Sequence, residues 1–547
     1  MFNNLINYFL LDKTTLKFIK LNKKLFKNFK NNNLKKNQIL IEFNNWKPFH
    51  VSNSYILNYL LKKYNAEAIG YELYSPMLKK NNLFEKIKWI IGSKFLLKTF
   101  YVYSSFNVNK FITIKFSKNI KNLVRKNFKK VFSKIKKKSD LEKIEINKVW
   151  IGDLIYDSFL KKYNVATIDI ESNNFKIFFK EFLHIFFFWY NYIKNNKVKS
   201  VLSSHGVYTF AIPLRIAVSL NIDSFVANEQ KIYRYDKKCL SLKENLTGNF
   251  SESRLFKSIY SSSNKSNKKY MISKGKKISD QIAIKSKKLF YINNEKIKKL
   301  KLNNFNVPTK KNIRVLISSH AFTDSPHVFG NNLFVDFRHW FDFLNKTINE
   351  TNYEWFLKPH PNKDECTTKE IGDLVKKNKK ITLLDNNYNI NHLSKLKIDF
   401  TLTIFGVVAR EHPLRNINVI SASPNGPHSK FNFTHTCKNL KEYKNILLNL
   451  DSFKPKINNK QLYLYHYMND IYFNRNYLFL NFDEVVTKIG GIKNFYNSFF
   501  YEGWIKYFKN RDHERILRYI KTFIDSKDYS LNLKHQINKE KNFKINY

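Results

Sequence analysis

The sequence predicts an α/β chain with two doubly wound, Rossmann-like domains that face a cleft, followed by a helical tail. Three observations lead to this prediction. Short apolar runs of strand length alternate with longer helical stretches, which indicates parallel sheets with helices on both faces. The alternation occurs twice, on either side of a polar, lysine-rich stretch at residues 261–311. The 547 residues are also too many for a single hydrophobic core.

The first half contains six predicted strands and two prominent predicted helices. The strands are Gln38–Phe43, Ala66–Leu73, Thr99–Ser104, Val149–Gly152, Ser200–Ser203 and Asp223–Ala227. The helices are Phe175–Lys194 and Val207–Leu220. Pro308 ends the lysine-rich helical stretch, so we place the interdomain linker at residues 303–311. We expect the first domain to span residues 1–305.

The second half repeats the pattern more regularly. The predicted strands are Ile313–Ser318, Tyr353–Leu357, Ile381–Leu384, Ile398–Thr403 and Ile417–Ser421. The predicted helices are Phe334–Ile348, Thr367–Lys377 and one that starts at Val407. We expect this second domain to span residues 310–450. The tail, residues 455–547, is predicted to be helical and to pack back on the domains.

The charge of the chain is strongly basic, with 97 Lys and Arg against 43 Asp and Glu. Lys, Asn, Ile, Phe and Tyr are all abundant while Gly and Pro are scarce, a bias that A/T-rich codons explain. Most basic residues are Lys, whereas Arg is the better bidentate reader of phosphate, so nucleic acid is not an expected partner. An anionic membrane surface is an expected partner. Two basic amphipathic helices, at residues 16–29 and 123–135, could dock there or could face the protein core.

The cysteines and the most apolar segment restrict the class of protein. Cys239, Cys366 and Cys437 lie far apart without metal-ligand spacing, so we expect neither a disulfide framework nor a metal site. The most apolar window, Phe175–Ile193, contains three charged side chains, which predicts a buried helix rather than a membrane span. We expect a cytoplasmic protein, peripheral at the inner face of the plasma membrane.

Polar residues follow successive predicted strands of the second half, where ligands of open α/β sheets bind. Lysine and arginine can neutralise phosphate, and a glycine at a helix start lets phosphate approach the backbone amides. A glutamate can accept hydrogen bonds from ribose hydroxyls. Taken singly, the histidines could be turn residues and the glycine a close-packing position, but their order along the sheet favours a nucleotide site. The residues are Ser318, Ser319, His320, Lys358, His360, Gly406, Arg410 and Glu411.

Two segments of the second half resemble a known family. KPHP at 358–361 and TIFGVVAREHPLRNINVI at 403–420 are similar to the nucleotide-binding half of GT-B glycosyltransferases that build bacterial capsules and surface polysaccharides. Capsular Kdo transferases, bacterial sialyltransferases with an HP motif and CDP-glycerol glycerophosphotransferases share this plan. Asn416 and Asn418 depart from the family pattern, which has Gly and Pro there.

The resemblance implies a GT-B-like fold and a metal-independent reaction that needs no cofactor beyond the nucleotide-sugar substrate. It also implies that Lys358, His360, Gly406 and Glu411 contact the phosphates and ribose of the nucleotide. His360 can donate to a phosphate or sugar oxygen and is therefore a catalytic candidate as well.

The first half offers two candidates for the base that accepts the acceptor's proton. VWIGDLIYD at 149–157 is similar to a GD-x-I-Y-D stretch of surface-carbohydrate proteins, and it makes Asp153 the first candidate. His205 follows a predicted strand and is the second candidate. A helix-capping role for Asp153 and a turn role for His205 are the structural alternatives.

These observations predict a glycosyltransferase that moves a sugar from a CMP-, CDP- or UDP-linked donor onto a growing surface polysaccharide or a lipid-linked glycan acceptor. Two reactions on the same fold are alternatives: polyol-phosphate transfer from CDP-glycerol and epimerisation of a UDP-sugar. A non-enzymatic basic protein bound to membrane or nucleic acid is a third alternative. A steep loss of binding with salt would favour that third alternative.

Overall fold

The computed structural model describes residues 2–29, 37–72, 83–235, 249–284, 309–361, 364–386, 388, 390–455, 457–473, 477–478 and 482–536. Within these residues two six-stranded sheets dominate the chain, each with the strand order 3-2-1-4-5-6 counted along its own half. This is the order of a doubly wound, dinucleotide-binding sheet. The predicted pair of Rossmann-like domains is confirmed, and the fold is GT-B-like.

The first sheet is parallel except for its last strand, β8, which runs antiparallel to β7. The strands of the first half are β1 Asn37–Phe43, β2 Ala66–Glu72, β3 Val108–Ile112, β4 Glu145–Ile146, β5 Val149–Trp150, β6 Val198–Ser203, β7 Asp223–Ala227 and β8 Ile232–Arg234. The helices are α1 Phe2–Leu10, α2 Lys13–Leu25, α3 Lys47–Tyr64, α4 Leu83–Phe95, α5 Thr99–Ser104, α6 Lys118–Phe132, α7 Lys138–Leu141, α8 Gly152–Tyr163, α9 Asn173–Asn195, α10 Ala211–Ser219, α11 Asn249–Ser262 and α12 Lys265–Ile284.

The second sheet is parallel throughout. Its strands are β9 Arg314–Ser318, β10 Glu354–Lys358, β11 Ile381–Leu383, β12 Phe400–Thr403, β13 Asn418–Ser421 and β14 His435–Thr436. The accompanying helices are α13 Phe337–Asn349, α14 Glu365–Lys377, α15 Ile390–Lys395, α16 Val408–Glu411 and α17 Leu440–Leu448. Every strand predicted for this half is present, within two residues at each end.

The tail is helical where the structure describes it. Its helices are α18 Asn459–Tyr467, α19 Phe482–Lys488, α20 Phe499–Tyr507, α21 Asn510–Asp525 and α22 Leu533–Gln536. The apolar faces of α20 and α21 share one core with β1 and α3 of the first domain. Helix α18 packs instead against α12 and the loop around Phe431 and Phe433, in a separate core.

Two predicted strands of the first half are wrong. Thr99–Ser104 is helix α5, which buries Phe100 and Tyr103 beneath the sheet. The strand of this region is β3, which the sequence analysis missed because its residues at the sheet edge are polar. Val149–Gly152 forms only a two-residue strand in a separate hairpin with β4. The predicted linker at 303–308 and Cys239 lie outside the described residues.

The two basic helices proposed for membrane contact turn their apolar faces inward. In α6, Ile120 and Val124 are buried, and Phe128 and Phe132 pack against α9. In α2, Phe18 stacks on the ring of Tyr501 at 4.0 Å. The core-facing alternative therefore holds for both helices. Helix α9, the most apolar predicted segment, is buried as expected, and none of the described helices has the length and apolarity of a bilayer span.

Candidate functional site

The strand order of each sheet reverses at one point, and several of the candidate residues follow the strands that meet at these two points. In the first sheet β1 is the neighbour of β6, and in the second sheet β9 is the neighbour of β12. Ligands of doubly wound sheets bind in the crevice beyond the carboxyl ends of such strand pairs. The hydroxyl of Tyr208, after β6, donates to the carboxylate of Asp324, after β9, at 2.7 Å. This bond joins the carboxyl edges of the two sheets across one cleft.

His320 lies at the reversal point of the second sheet but is buried among other side chains. Its ring stacks on Phe337 with centroids 4.6 Å apart. Its Nε2 accepts from the backbone N–H of Ile404 at 3.3 Å and lies 3.2 Å from the hydroxyl of Thr403. Burial and the nearby His360 lower the pKa of His320 to about 3. His320 is therefore a neutral residue that ties β9 to β12, and its predicted contact with a nucleotide stays a prediction.

Two serines at the same edge have buried hydroxyls with no hydrogen-bond partner among the described residues. They are Ser319, after β9, and Ser423, after β13. Buried hydroxyls are normally hydrogen-bonded, because burying a hydroxyl without a hydrogen-bond partner costs free energy. These two groups are suited to bonding a polar ligand. Ser318, which directly precedes Ser319, is only half-buried.

Lys358 and Glu411 form the centre of the predicted nucleotide site. Both side chains are half-buried at the carboxyl edge. Burial lowers the pKa of Lys358, against the effect of the carboxylates of Glu411 and Asp385. Burial raises the pKa of Glu411, against the effect of Arg410 and Lys358. The mutual influence of these charges places Lys358, Asp385, Arg410 and Glu411 in one polar patch.

Arg410 and His360 extend this patch on two sides. Burial lowers the pKa of Arg410, but Tyr465, Asp470 and Glu411 outweigh it and raise the pKa overall. Tyr465 and Asp470 belong to the tail, so the tail supplies partners for Arg410, which is predicted to bind phosphate. The side chain of His360 is half-buried and close enough to His320 to lower its pKa. The structure thus places Lys358 and Arg410 near Glu411, and His360 near His320, and their contact with a nucleotide stays a prediction.

The expected anion site at a helix start needs correction. The amide of Gly406 already donates to the hydroxyl of Thr403 at 2.9 Å. Helix α16 has only four residues before the chain tightens into a 3₁₀ turn at His412–Arg415. A helix this short gives little of the aligned dipole that holds anions. Anion binding at this edge must therefore come mainly from side chains.

Gly406 packs so closely against Thr403 that a larger residue does not fit without movement. A β-carbon at this position would lie 2.7 Å from the hydroxyl oxygen of Thr403. We expect Gly406→Ala to lower the free energy of unfolding by about 1–3 kcal/mol, because the turn must move to relieve the clash. Gly372→Ala is the control, since no atom lies within 4 Å of a β-carbon there. The control should gain about 0.5–1 kcal/mol within helix α14. Urea unfolding measures both, and equal behaviour would contradict this role of Gly406.

The first sheet contains a hydrogen-bonded relay of Glu42, Ser204 and His205. Of these three residues, only His205 was predicted from the sequence. Glu42, the last residue but one of β1, is buried. Its carboxylate accepts from the hydroxyl of Ser203 at 2.6 Å and from the amide and hydroxyl of Ser204 at 2.7 Å each. The side-chain amide of Asn44 donates to it at 3.0 Å. The hydroxyl of Ser204 also lies 2.7 Å from Nδ1 of His205. A carboxylate with this many donors holds the Ser204 hydroxyl in a fixed orientation.

His205 is the exposed end of this relay. With Ser204 donating to Glu42, the Nδ1–H of His205 donates to Ser204, which leaves Nε2 as a proton acceptor. Nε2 has no partner among the described residues, and the side chain is open to solvent. Crowding by protein lowers the pKa of His205, against Glu42 and Asp324, which raise it. A neutral imidazole with a directed free nitrogen is what a general base requires.

Asp153, the first candidate for the base, is instead part of a buried ion pair. It is buried and forms a two-pronged ion pair with Arg215, at 2.6 and 2.5 Å. Arg215 is fully buried and also donates to the backbone carbonyl of Trp150 at 2.7 Å. Both carboxylate oxygens of Asp153 are occupied, so it lacks the access to solvent and substrate that a base needs. It lies inside the first turn of α8, so it is not the helix cap either.

Buried polar contacts also hold the second domain against the first. His327 of the second domain lies 2.6 Å from Asp157 and 3.1 Å from Glu142 of the first. Burial lowers the pKa of His327, but the two carboxylates outweigh it and hold the pKa well above its usual value. The hydroxyl of Tyr156 donates to Asp336 across the same boundary at 2.5 Å. The cleft therefore has a fixed geometry on this side.

One potential metal cluster occurs among the described residues, and it contains none of the predicted site residues. Donor atoms of His435, Cys437 and Glu442 lie within 4.8 Å of one another. Cys437 is fully buried, and burial with nearby Glu442 raises its pKa to about 12. The other oxygen of Glu442 accepts from the amide of Lys438 at 2.8 Å, as a cap of α17. The nucleotide site proposed below uses none of these residues.

Comparisons with known proteins give distant structural likenesses. No family model and no curated protein matches the chain. Among solved structures, UDP-GlcNAc 2-epimerase from Neisseria meningitidis bound to UDP-GlcNAc aligns over 79% of this chain and 97% of its own, at 11% identity and a TM-score of 0.21. MurG from Acinetobacter baumannii covers 80% and 95%, at 10% identity and a TM-score of 0.24. A glycosyltransferase from Rickettsia africae covers 80% and 94%, at 9% identity and a TM-score of 0.23. At such scores these likenesses carry no argument about function, and the fold assignment rests on the strand order and on the joined carboxyl edges.

Proposed function

We propose that the chain is a glycosyltransferase that transfers a sugar from a nucleotide-activated donor to a surface polysaccharide or a lipid-linked glycan. The observation that carries this proposal is the patch at the carboxyl edge of the second sheet. There Lys358 and Arg410 lie near Glu411, and His360 lies near His320. The buried hydroxyl of Ser319, which has no partner among the described residues, is at the same edge. Two cations next to one carboxylate suit a ligand that has both phosphates and ribose hydroxyls.

Each residue of this patch can bind a different part of the donor. Lys358 and Arg410 can pair with the phosphates, which gain negative charge as the bond to the sugar breaks. Glu411 can accept hydrogen bonds from the ribose. His360 can donate to a phosphate oxygen or a sugar oxygen. Glu411 and Asp385 partly neutralise the charge of Lys358. A phosphate, with more than one negative charge and several acceptor oxygens, would be a stronger partner for it.

The opposite side of the cleft supports the acceptor half of the reaction. His205 Nε2 takes the proton of the acceptor hydroxyl while the hydroxyl oxygen forms its bond to the sugar carbon. The sugar–phosphate bond breaks, and the nucleotide leaves with the electron pair. Glu42, acting through Ser204, stabilises the imidazolium that forms. Asp324 reaches the same histidine from the second domain, which supports a site completed by both domains.

Nucleotide binding tests the proposal. We expect one member of a panel of CMP, CDP, UDP and GDP to raise the melting temperature, because a ligand of the native state stabilises it by about 2.7 kcal/mol at one hundred times its Kd. In Lys358→Ala the shift at the same concentration should be largely lost, since a hydrogen bond to a charged group contributes roughly 1.5–3 kcal/mol.

Lys376→Ala is the matched control, because this lysine is exposed on helix α14 away from the sheet edge. It should keep the full shift. If no nucleotide stabilises the wild-type protein, or if Lys358→Ala and Lys376→Ala respond alike, the nucleotide-sugar proposal is wrong.

A further inference from the structure

We propose that helices α1 and α4 form a docking surface for an anionic phospholipid membrane, here called the α1/α4 surface. Fifteen large apolar side chains stand out as exposed among the described residues, and nine of them are on these two helices. They are Tyr8, Phe9, Leu10, Leu83, Phe84, Ile87, Ile90, Ile91 and Phe95. Scattered exposed apolar residues are normal in soluble proteins, but a concentration of this kind marks an interaction site.

Helix α4 is apolar on both of its faces. Its inner face buries Trp89 against the rings of Phe43 and Phe100, at 5.1 and 5.0 Å. On the outer face, Ile87, Ile91 and Phe95 recur every four residues and so form one stripe. The inner face already anchors the helix, so the outer stripe is not needed to hold α4 to its own domain.

Helix α1 continues this stripe. The side chain of Asn7 donates to the carbonyl of Leu96 at 2.9 Å and accepts from the amide of Lys98 at 2.8 Å. These two bonds fix α1 against the end of α4. Tyr8 and Phe9, next to Asn7, are 64% and 78% exposed. The apolar side chains of the two helices therefore belong to one surface.

The segments that contain and flank helices α1 and α4 are basic. Residues 2–29 contain six lysines and one aspartate, and residues 83–98 contain four lysines and one glutamate. All ten lysines are exposed. Long lysine side chains beside an apolar stripe can reach lipid headgroups while the stripe enters the acyl boundary. Anionic lipids attract each such charge near the bilayer surface.

This combination of charges favours a membrane over other occupants. A second copy of the chain would bring the four lysines on and next to α4 close to the same four lysines of its partner, and like charges facing each other oppose association. Nucleic acid would satisfy the lysines but leave the apolar stripe in water. An anionic bilayer satisfies both, because it offers negative headgroups above an apolar interior.

The α1/α4 surface adjoins the cleft that contains His205. The hydroxyl of Thr99, just after α4, donates to the side chain of Asn45 at 2.8 Å. The next residue, Trp46, lies 6.4 Å from the ring of His205, measured between centroids. On its other side Trp46 contacts Tyr496 at 5.5 Å, another strongly exposed ring. If the proposed function holds, a membrane on this surface would present a lipid-linked acceptor beside His205.

Vesicle binding of the full chain tests the surface without any nucleotide. We expect the protein to sediment with vesicles of phosphatidylcholine that contain about one-third phosphatidylglycerol, and much less with phosphatidylcholine alone. The pair Ile87→Ser with Ile91→Ser should weaken binding to the anionic vesicles about tenfold, since it removes apolar area from the stripe. The pair Lys86→Glu with Lys94→Glu should do the same through charge.

Matched controls use exposed residues outside the surface. Ile177→Ser with Leu440→Ser removes two exposed apolar side chains, and Lys376→Glu with Lys377→Glu reverses two exposed charges. Both controls should bind vesicles like the wild type. All variants should keep the wild-type melting temperature, because the residues replaced are exposed.

Three outcomes would overturn the proposal. One is that the wild type fails to bind anionic vesicles, and another is that the surface variants bind as well as their controls. The third is a dimer in sedimentation that Ile87→Ser with Ile91→Ser dissolves, which would assign the surface to a second copy. Lys358→Ala should lose nucleotide binding but keep vesicle binding, so failure of the proposed function is distinguishable from failure of this surface.

Discussion

Asp153→Asn is expected to lower the free energy of unfolding by about 3–5 kcal/mol, because it leaves the charge of Arg215 buried without its partner. Few single substitutions in this chain should cost more. Both partners are almost fully buried, and their two-pronged pairing holds α8 to α10. Urea denaturation measures the change.

Two further variants separate this role from catalysis. Asp342→Ala breaks an exposed pair with Arg338 and should change stability by less than about 1 kcal/mol. Asp153→Leu combined with Arg215→Met should recover part of the loss, since a buried pair replaced by apolar side chains is often tolerated. An Asp153→Asn protein with wild-type stability but no activity would restore Asp153 as the base.

His205→Ala is expected to lower the rate of sugar transfer by about 10²–10⁴-fold, the usual contribution of a general base. Its melting temperature should stay close to that of the wild type, because the side chain is exposed. His184→Ala is a suitable control, since this histidine lies on α9 and its ring contacts the carbonyl of Lys180 at 2.8 Å, outside the cleft. Equal rates for the two variants would contradict the assignment of His205.

The pH profile of the rate gives a second readout of the same group. The base acts when neutral, so the rate should fall as the pH drops through the pKa of His205, which lies below the ordinary histidine value. Glu42→Gln removes a negative charge that raises this pKa. The acid limb of the profile should therefore move to lower pH, and the maximal rate should fall because the imidazolium loses its stabilising partner. If Glu42→Gln left the acid limb unchanged, Glu42 would not influence the pKa of the base.

The second domain could be predicted from the sequence almost strand by strand, for a physical reason. Its inner strands are buried on both faces and are mostly apolar, such as IRVLIS and IDFTLT. The polar residues that end these runs meet at one edge because all the strands are parallel. The sequence predicts Lys358, Arg410 and Glu411 as site residues in this way.

The first domain was harder because its edge elements do not have this signature. Thr99–Ser104, TFYVYS, has the aromatic and β-branched content of a strand, yet packing beneath β1 makes it helical. The real edge strand, VNKFI at Val108–Ile112, is half polar. For such segments the local composition is a poor predictor, because tertiary packing determines whether they form a helix or a strand.

The roles of individual residues in the cleft depended on partners far away in the chain. Glu42 is one polar residue in an apolar strand, and its bonds to Ser203 and Ser204 span more than 160 residues. Asp153 has the residue type and position of a base, but Arg215 removes that role. Exposure of the α4 stripe also depends on how the helix packs. Such facts require the folded chain.

The central claim is that the carboxyl edge of the second sheet binds the nucleotide of an activated sugar. Calorimetric titration of the stabilising nucleotide into wild-type, Lys358→Ala, Lys376→Ala and His205→Ala proteins tests it most directly. We predict an affinity about 10–100-fold weaker for Lys358→Ala and unchanged for the other two, because Lys358 is the only one of the three substituted residues that we assign to phosphate binding. Equal affinities in all four proteins, or no heat of binding with any nucleotide, would contradict the account.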